Sequence, residues 1–516
     1  MKRNLKNSCI VLLGFLLACN LLSCNNIFIL KKATQVSFNL DIQGLQAAQQ
    51  KQSGALNNRA AGGDVSQVII SLYQATDSAS ISENQQLDTS KLKLLDSITP
   101  PVTSDGKVHA TFNEVTVGIT AVIFVEIYET DPAAASQNLA YKGNSSVFTV
   151  QEGENTVEIE LKKIISTLEK LTNILTTTTG EPIYIAGNFD ISTTLNITNP
   201  TTLIAVAPTT FTRTKDCTDA LFTYNADFTL QGSSNARITI NGNNIQAAAP
   251  AIQTAENNPT ANLTVTYCNF ENNINTGTDG GAVFVDTTEE VYFSASNCNF
   301  TDNKVTGDKT LAGGAVAIDG SKVNSTITKS KFINNLAANN GGGALYIYGN
   351  STTPANYLHT ISDSQFNDNK TEAPSSNYGG AIYLRQGSLE LNNISMNNNR
   401  HYSSEDSYSS SDIFIYKNDT YVTLCGTIII NSLVDNFGSS TDNLVIKLEN
   451  FSTESQIGVL CTPASTGASV DNGDTLITLN DGEELTPEQI ACFTSIVDSS
   501  GKQYTLNSNG TITAKN

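Results

Sequence analysis

Apolar and polar side chains alternate at period two over the first third of the chain. The alternation runs through residues 36–42, 68–72, 122–127 and 157–161. Period two places successive side chains on opposite faces of a β-strand. A sheet with one apolar and one wet face is typical of antiparallel strands. We therefore predict a small antiparallel β-sandwich domain over residues 25–163.

The pattern changes after residue 163. Residues 164–175 have the spacing of an amphipathic helix, and we interpret residues 164–180 as a helical linker or cap. Short apolar runs separated by Asn, Gly, Ser and Thr follow and predict further strands. We assign residues 181–455 to a second domain. We expect residues 456–516, with a short helical pattern and a final strand pair, to cap its end.

A phrase of the form Phe-x-x-Asn recurs inside this second domain. Successive copies begin 30, 32 and 34 residues apart, and a fifth copy begins with Met396 and ends with Asn399. A second phrase, Gly-Gly-Ala followed by alternating apolar residues, recurs in phase with the first. The first phrase contains Phe270 and Asn273, Phe300 and Asn303, Phe332 and Asn335, and Phe366 and Asn369; the second begins with Gly280 and Gly281, Gly313 and Gly314, Gly342 and Gly343, and Gly379 and Gly380.

A period near 30 residues with short strands and turn-forming Asn and Gly predicts a solenoid of stacked β-coils. Equivalent residues then lie about 4.8 Å apart in columns. The Phe column and two apolar columns, which begin at Val283 and Val285, are expected to form the core. The Asn column is expected to form a buried amide ladder at a turn. The double glycines are expected to allow positive φ and close backbone approach at another turn.

These paired phrases resemble the repeats of polymorphic outer membrane proteins, over roughly residues 265–416. Residues 182–198 and 236–244 are similar to entry coils of pectin-lyase-like helices. The resemblance implies an all-β chain with a right-handed parallel β-helix, displayed at the cell surface with a role in adhesion or antigenic variation. The carboxyl-terminal residues depart from that family, because they lack the alternating strands of a membrane barrel.

The amino terminus has the pattern of an export signal, with basic residues through Lys6 followed by an apolar run. Residues 21–24 then resemble the lipobox of bacterial lipoproteins, which predicts a signal peptide over residues 1–24 and lipidation of Cys24. Residues 16–19 fit the same pattern, so Cys19 stays open as the lipidated residue. We expect the chain to be held at the outer membrane by this lipid.

The net charge limits the partners that the chain can bind, and the cysteine spacing limits the disulfides and metal sites that it can form. The formal net charge is −20, and charged residues make up 15 % of the chain. Such an excess of negative charge repels nucleic acid. The cysteines after residue 24 are too sparse for a disulfide scaffold or a zinc site. Cys268 and Cys298 share a column, where we expect two buried thiols, with a disulfide between coils as the alternative.

Residues with catalytic chemistry are few. The only histidines are His109, assigned to the sandwich, and His359 and His401, which we interpret as solvated loop residues. Arg213, Lys215 and Asp216 lie together in the sequence, and we interpret them as a surface salt bridge. We predict no catalytic, cofactor or metal site. A carbohydrate-active β-helix enzyme, a polysaccharide lyase or hydrolase, is the alternative.

The position between the two apolar columns is the predicted binding site. Alternation turns its side chains outward and forms a stripe of aromatic rings that Tyr348 and Arg385 extend. We expect this stripe to contact a host matrix protein or glycan, or else to be covered by flanking loops. The rings of the stripe belong to Phe284, Tyr346, Tyr383 and Phe414.

Overall fold

The computed structural model consists almost entirely of β-strands and divides into two units. The predicted signal peptide and the cysteines proposed for lipidation lie outside the described residues. The structure describes residues 33–41, 65–75, 92–102, 107–130, 137–153, 155, 157, 159–177, 180–255, 260–307, 312–338, 341–349, 357–372, 379–404, 407–415, 421–437, 445–463, 473–477, 479, 484–498 and 500–515.

The first unit, residues 1–128 and 143–161, contains a small antiparallel sheet. Ala33–Asp41 pairs with Lys107–Thr116, and Val65–Ala75 pairs with Leu92–Ile98, both antiparallel. Val68, Ile70 and Leu72 are buried, as the period-two alternation predicts. The other strands that begin or end in this part of the chain are Thr120–Thr130, Gln137–Ser145, Phe148–Thr149 and Ile159–Ile165.

Helix α1, Leu168–Leu175, lies where the sequence predicts a helix. The Thr167 hydroxyl accepts a hydrogen bond from the backbone N–H of Lys170 and caps the amino-terminal end. Leu171 and Leu175 are buried in the core of the second unit. The helix therefore contributes its apolar face to the first coil.

The second unit is a right-handed parallel β-solenoid of about seven turns. Each complete coil contributes strands to ladders that we name A, B, C and D in chain order. Ladder A contains Leu195–Ile197, Phe222–Tyr224, Ile252–Thr254, Val283–Asp286, Val316–Asp319, Leu345–Tyr348, Ile382–Gln386 and Ile413–Ile415. Ladder B contains Thr201–Arg213, Phe228–Gln231, Leu263–Thr266, Val291–Ser296, Val323–Thr328, Leu358–Ser362, Ser388–Asn397, Tyr421–Phe437 and Val445–Phe451.

Ladder C shares its longest strands with ladder B, and ladder D is formed by short strands. Ladder C begins at Ile183–Ile191, passes through Thr201–Arg213 and continues with Ile238–Asn241, Cys268–Glu271, Asn299–Thr301, Lys331–Ile333, Gln365–Asn367 and Ser388–Asn397. Ladder D contains Gln246–Ala247, Ile274–Asn275, Lys304–Val305, Leu336–Ala337, Lys370–Thr371 and Arg400–Ser404, and Ser407–Ser410 returns antiparallel to it.

The sequence pattern predicts that the coils end near residue 455. In the structure, parallel strand pairing continues beyond this residue. Tyr421–Phe437 pairs with Gln456–Pro463, which pairs with Phe493–Asp498. Helix α2, Pro487–Ala491, has a capping box formed by Thr486 and Gln489. Two antiparallel strands, Gln503–Leu506 and Ile512–Ala514, then follow the last parallel strand.

The core confirms the predicted columns. The rings of Phe270, Phe300, Phe332 and Phe366 stack with centroids 4.6–4.8 Å apart and planes within 7°. Both apolar columns of ladder A are buried from Val283 and Val285 onward. Because the strands are in register, identical side chains are neighbours in successive coils, so each Phe ring packs against another Phe ring.

The amide ladder is also present. In each step the Nδ2 of one Asn donates to the Oδ1 of the next, at 2.8 Å from Asn273 to Asn303 and at 2.9 Å from Asn335 to Asn369. The residue just before each ladder Asn has positive φ, and it is always Asn or Asp, the types that tolerate this conformation. These residues are Asn272, Asp302, Asn334, Asp368 and Asn398. Their types explain the third position of the Phe-x-x-Asn phrase.

Neither glycine of a Gly-Gly-Ala phrase has room for a Cβ, and the first has positive φ in three of the four copies. Gly313 has φ +73°, a conformation that L side chains rarely adopt. A Cβ on Gly314 would lie 2.1 Å from the carbonyl oxygen of Gly343 in the next coil. A Cβ on Gly313 would also lie 2.4 Å from the carbonyl oxygen of Val316, so close approach operates at both glycines, as predicted, and positive φ at the first.

Candidate functional site

The predicted aromatic stripe is in register on ladder A but is not exposed. Phe284, Ala317, Tyr346, Tyr383 and Phe414 are successive partners in the parallel pairing. The Tyr346 side chain is only 3 % exposed, Tyr383 and Phe414 are similarly buried, and Phe284 is half-buried. The prediction of an exposed ring stripe is therefore wrong for three of its four rings.

The rings are buried because they form a second apolar cluster, separate from the main core. Ring centroids lie 5.6 Å apart for Tyr346 and Tyr383, and 5.5 Å apart for Tyr383 and Phe414. We call this the outer aromatic cluster: its buried members are Ala312, Ala317, Tyr346, Tyr383 and Phe414, and Phe284, Tyr348 and Leu460 pack against it.

Three carboxyl groups border this cluster, and we call them the carboxylate rim: Asp279, Asp286 and Asp319. Asp286 pairs with Asp319, and Asp319 pairs with Tyr348, at the outward position after the second apolar column. The Asp279 carboxylate accepts a hydrogen bond of 2.6 Å from the backbone N–H of Ala312. The rim and the cluster are therefore contiguous.

The electrostatics of the rim favour protonation at mildly acidic pH. Burial raises the pKa of Asp279 to about 6, and the charges of Asp319 and Asp286 add to this effect. Burial, followed by the charge of Asp286, raises the pKa of Asp319 to about 6. Burial also raises the pKa of Asp286. The carboxyl groups of Asp279 and Asp319 therefore change charge near pH 6.

Arg385 supplies the positive charge at the same place. Its guanidinium donates to the Tyr346 hydroxyl at 3.3 Å and lies 4.5 Å from the centroid of the Tyr348 ring. Its charge opposes the rise in the pKa of Asp279 and Asp319. Burial raises the pKa of Tyr346 to about 12, so this phenol stays neutral. Carboxyls, a guanidinium and a half-exposed ring are groups that can hydrogen-bond and stack on a ligand.

The rim was not predicted, although the sequence carries a signal for it. Asp286 and Asp319 each follow the last apolar residue of a Gly-Gly-Ala phrase, where alternation turns the side chain outward. Asp279 has no such signal, because its contact with Ala312 joins different coils. Among the described residues, no group of His, Cys, Asp and Glu is arranged to hold a metal ion.

The histidine predictions need correction. His359 is completely buried on ladder B, where its Nδ1 lies 2.9 Å from the Ser325 hydroxyl, and its Nε2 has no partner among the described residues. It faces inward because it pairs with the inward residues Ser325 and Leu389. Burial lowers the pKa of His359 to about 4. His401 is buried within ladder D rather than solvated, and His109 is exposed in the first unit.

The predicted salt bridge at residues 213–216 is also wrong. Arg213 is buried, whereas Lys215 and Asp216 are exposed. The Arg213 guanidinium donates instead to the carbonyl oxygens of Cys217, Asp219 and Pro250. These bonds satisfy a turn between coils, so the role of Arg213 is structural.

The cysteines of the solenoid are buried thiols. Cys268 and Cys298 are neighbours in ladder C and both are free, as the preferred interpretation predicts. Ser330 and Ser364 occupy the same column in the next coils, where each hydroxyl accepts a hydrogen bond from a backbone N–H of the preceding coil.

Neither of the helices in the described part of the chain is long and apolar enough to cross a membrane. Comparisons with protein-family models, with curated proteins and with solved structures give no match to this chain.

Proposed function

We propose that this chain is a surface-exposed bacterial lipoprotein of the polymorphic outer membrane protein type that acts as an adhesin or antigen rather than as an enzyme. A lipid on Cys24, or on Cys19, would hold it at the outer membrane. The β-helix would contact a host matrix protein or glycan. Its net charge of −20 disfavours nucleic acid as a partner.

One observation carries this proposal: the inward positions of the coils repeat, whereas the outward positions of ladder A vary. The Phe column and the Asn ladder keep their residue type through four coils. In contrast, the outward position after the second apolar column holds Asp286, Asp319 and Tyr348 in successive coils. A rigid scaffold with a variable outer face is suited to presenting side chains to a partner.

Within this proposal the carboxylate rim and Tyr348 make the contact, and the outer aromatic cluster supports them from below. Two carboxylates on adjacent coils complement a partner that carries Lys or Arg side chains. Rim charges of this kind act mainly on the rate of association and its salt dependence.

The test combines accessibility with binding. Intact cells are treated with protease and loss of the chain is followed, and we expect cleavage. The purified chain is then measured against host matrix proteins and glycans. Asp319→Asn should slow association and weaken its salt dependence, whereas the exposed control Asp216→Asn should not. Protection of the chain on intact cells would rule out the adhesin.

A second candidate is a carbohydrate-active enzyme, favoured by the raised pKa of Asp279 and Asp319, about 6 for each. A carboxyl group with a pKa of about 6 is largely protonated at mildly acidic pH and can serve there as a general acid beside an ionised carboxylate. Incubation with neutral and acidic polysaccharides would release reducing ends if this were the activity. Loss of that release in Asp319→Asn and in Asp279→Asn, with retention in Asp216→Asn, would favour the enzyme over the adhesin.

A further inference from the structure

The outer face of ladder B carries a regular array of hydroxyl groups. Ser294, Thr326 and Thr360 are partners in successive coils, and Ser296, Thr328 and Ser362 form the column beside them. Neither pairing contains a register shift. Parallel strands in register place equivalent residues about 4.8 Å apart, and residues two positions apart on one strand lie about 6.6 Å apart. We call these two columns the hydroxyl face.

The hydroxyls of the column that begins at Ser294 are available to a ligand, whereas in the second column the Ser296 hydroxyl donates to the Thr266 hydroxyl at 3.3 Å. Five of the six side chains are half-buried and Thr326 is exposed. Ser294, Thr326 and Thr360 make no side-chain hydrogen bond with any described residue. A hydroxyl both donates and accepts, so each can pair with another hydroxyl.

The face is uncharged on a chain whose net charge is −20. This lack of charge distinguishes it from the carboxylate rim on ladder A. The hydroxyl column that begins at Ser294 ends at Glu390, which is the partner of Thr360 in the next coil. An uncharged, hydroxyl-lined surface offers no ionic attraction to a basic protein, a nucleic acid or an acidic polymer. Charge complementarity therefore favours a neutral ligand.

An aromatic ring lies at the edge of the same face. Tyr292 is two residues before Ser294 on the same strand and is 55 % exposed. Its partner in the next coil is Asn324, whose Oδ1 accepts a hydrogen bond from the backbone N–H of Leu358, itself 40 % exposed. A flat ring offers contact area to the C–H face of a sugar at low entropic cost.

We propose that the hydroxyl face, together with Tyr292 and Leu358, binds a neutral glycan. One sugar ring stacks on Tyr292, and sugar hydroxyls pair with the Ser and Thr hydroxyls. The repeat of the coils matches a ligand that also repeats, which favours a polysaccharide over a single sugar. This inference goes beyond the proposed function, because it assigns a second surface with its own ligand and does not require the lipid anchor.

The experiment measures binding of the purified full chain to soluble xylan and dextran as neutral probes, with polygalacturonate as the acidic comparison, by affinity electrophoresis. We expect retardation by a neutral polymer and none by polygalacturonate. Tyr292→Ala should weaken binding about tenfold, which corresponds to about 1.4 kcal/mol. Tyr292→Phe should retain it, because the ring is kept.

Thr326→Val tests the hydroxyls separately, since Val keeps the shape of Thr and its β-branch. It should weaken binding by about threefold or more, and Thr301→Val, at an outward position of ladder C, should not. Absence of retardation by both neutral polymers overturns the inference, as does retardation that Tyr292→Ala and Thr326→Val leave unchanged. Retardation by polygalacturonate alone also overturns it. Protease accessibility on cells is independent of these outcomes, so failure here is distinct from failure of the adhesin proposal.

Discussion

The Asn399 side chain donates from Nδ2 to the Oδ1 of Asp412 at 2.8 Å, and this contact ends the asparagine ladder. Every earlier amide donates to the Asn of the following coil, so the ladder has one direction and its last donor needs an acceptor. Asp412 supplies that acceptor from the degenerate last copy of the Gly-Gly-Ala phrase, and it is fully buried. Asp412 stands where the other copies of the phrase have Ala, so the last copy replaces a small apolar residue with the acceptor that the ladder needs.

Removing the acceptor at the end of the ladder is expected to destabilise the solenoid. Asp412→Ala removes a carboxylate acceptor and leaves the Asn399 Nδ2 with only the Phe366 carbonyl as a partner, at a cost of about 1–3 kcal/mol in the free energy of unfolding. Asp412→Asn keeps an Oδ1 and should lose much less. Urea denaturation of the purified variants provides the comparison. Equal losses in both variants would mean that the charge of Asp412, and not its acceptor, matters.

A break in the middle of the ladder should cost more than a break at its end. Asn335 accepts from the Nδ2 and the backbone N–H of Asn303 and donates to Phe300 and Asn369, so Asn335→Ala leaves several buried groups unpaired. We expect a loss of about 3–5 kcal/mol in the free energy of unfolding. Asn397→Ala, at an exposed position of ladder C two coils further on, is the control and should change stability little. A small effect for Asn335→Ala would show that the ladder is dispensable.

Close approach and positive φ can be separated by two glycine substitutions. Gly314→Ala places a methyl group against the Gly343 carbonyl of the next coil and should cost about 3 kcal/mol or more, or prevent folding. Gly501→Ala, at φ +84° with open space around the Cβ, should cost only about 1–2 kcal/mol. Thermal denaturation followed by circular dichroism ranks the two variants. The reverse order would contradict the assignment of the second glycine to coil contact.

Burial of His359 is expected to make the solenoid sensitive to acid. Its pKa is lowered from 6.5 to about 4. The unfolded chain therefore binds a proton that the folded chain resists, and stability falls as pH decreases from about 6.5 towards 4, by at most about 3 kcal/mol. His359→Leu combined with Ser325→Ala replaces the polar pair by apolar groups and should flatten this part of the stability–pH curve. Denaturation midpoints of the unmodified chain and of the double variant are measured at pH 7.0, 5.5 and 4.5. The same dependence of stability on pH in both proteins would refute the expectation.

The carboxylate rim should affect the pH dependence of stability in the opposite direction to His359. Since the folded chain raises the pKa of Asp279 from 3.8 to about 6, the stabilising effect is present at low pH and is lost as pH rises through about 6. Asp279→Asn keeps an acceptor for the Ala312 N–H and removes the charge. We expect it to stabilise the chain at pH 7.5 by at most about 3 kcal/mol and progressively less towards pH 4. Denaturation across this range measures the difference, and a gain that does not depend on pH would exclude titration of Asp279 as its cause.

The sequence alone determined the repeating parts of this protein. Phe, Asn and apolar side chains that recur at one period can only be satisfied by coils that stack in register, so the columns at Phe270, Asn273 and Val283 were predictable from spacing. The antiparallel sheet before them followed from alternation at Val68, Ile70 and Leu72 for the same reason. Each of these features depends on short-range periodicity, which a linear sequence records directly.

Only the tertiary structure decided what the non-repeating residues do. Alternation turns Tyr346 and Tyr383 out of the core, but their burial depends on neighbours such as Leu460, which belongs to a later coil. Residue type alone predicts that His359 and Arg213 face solvent, whereas their partners come from other strands and turns. Asp279 meets Ala312 only because two coils stack. Exposure and pKa depend on such contacts between distant residues, and a period along the chain does not encode them.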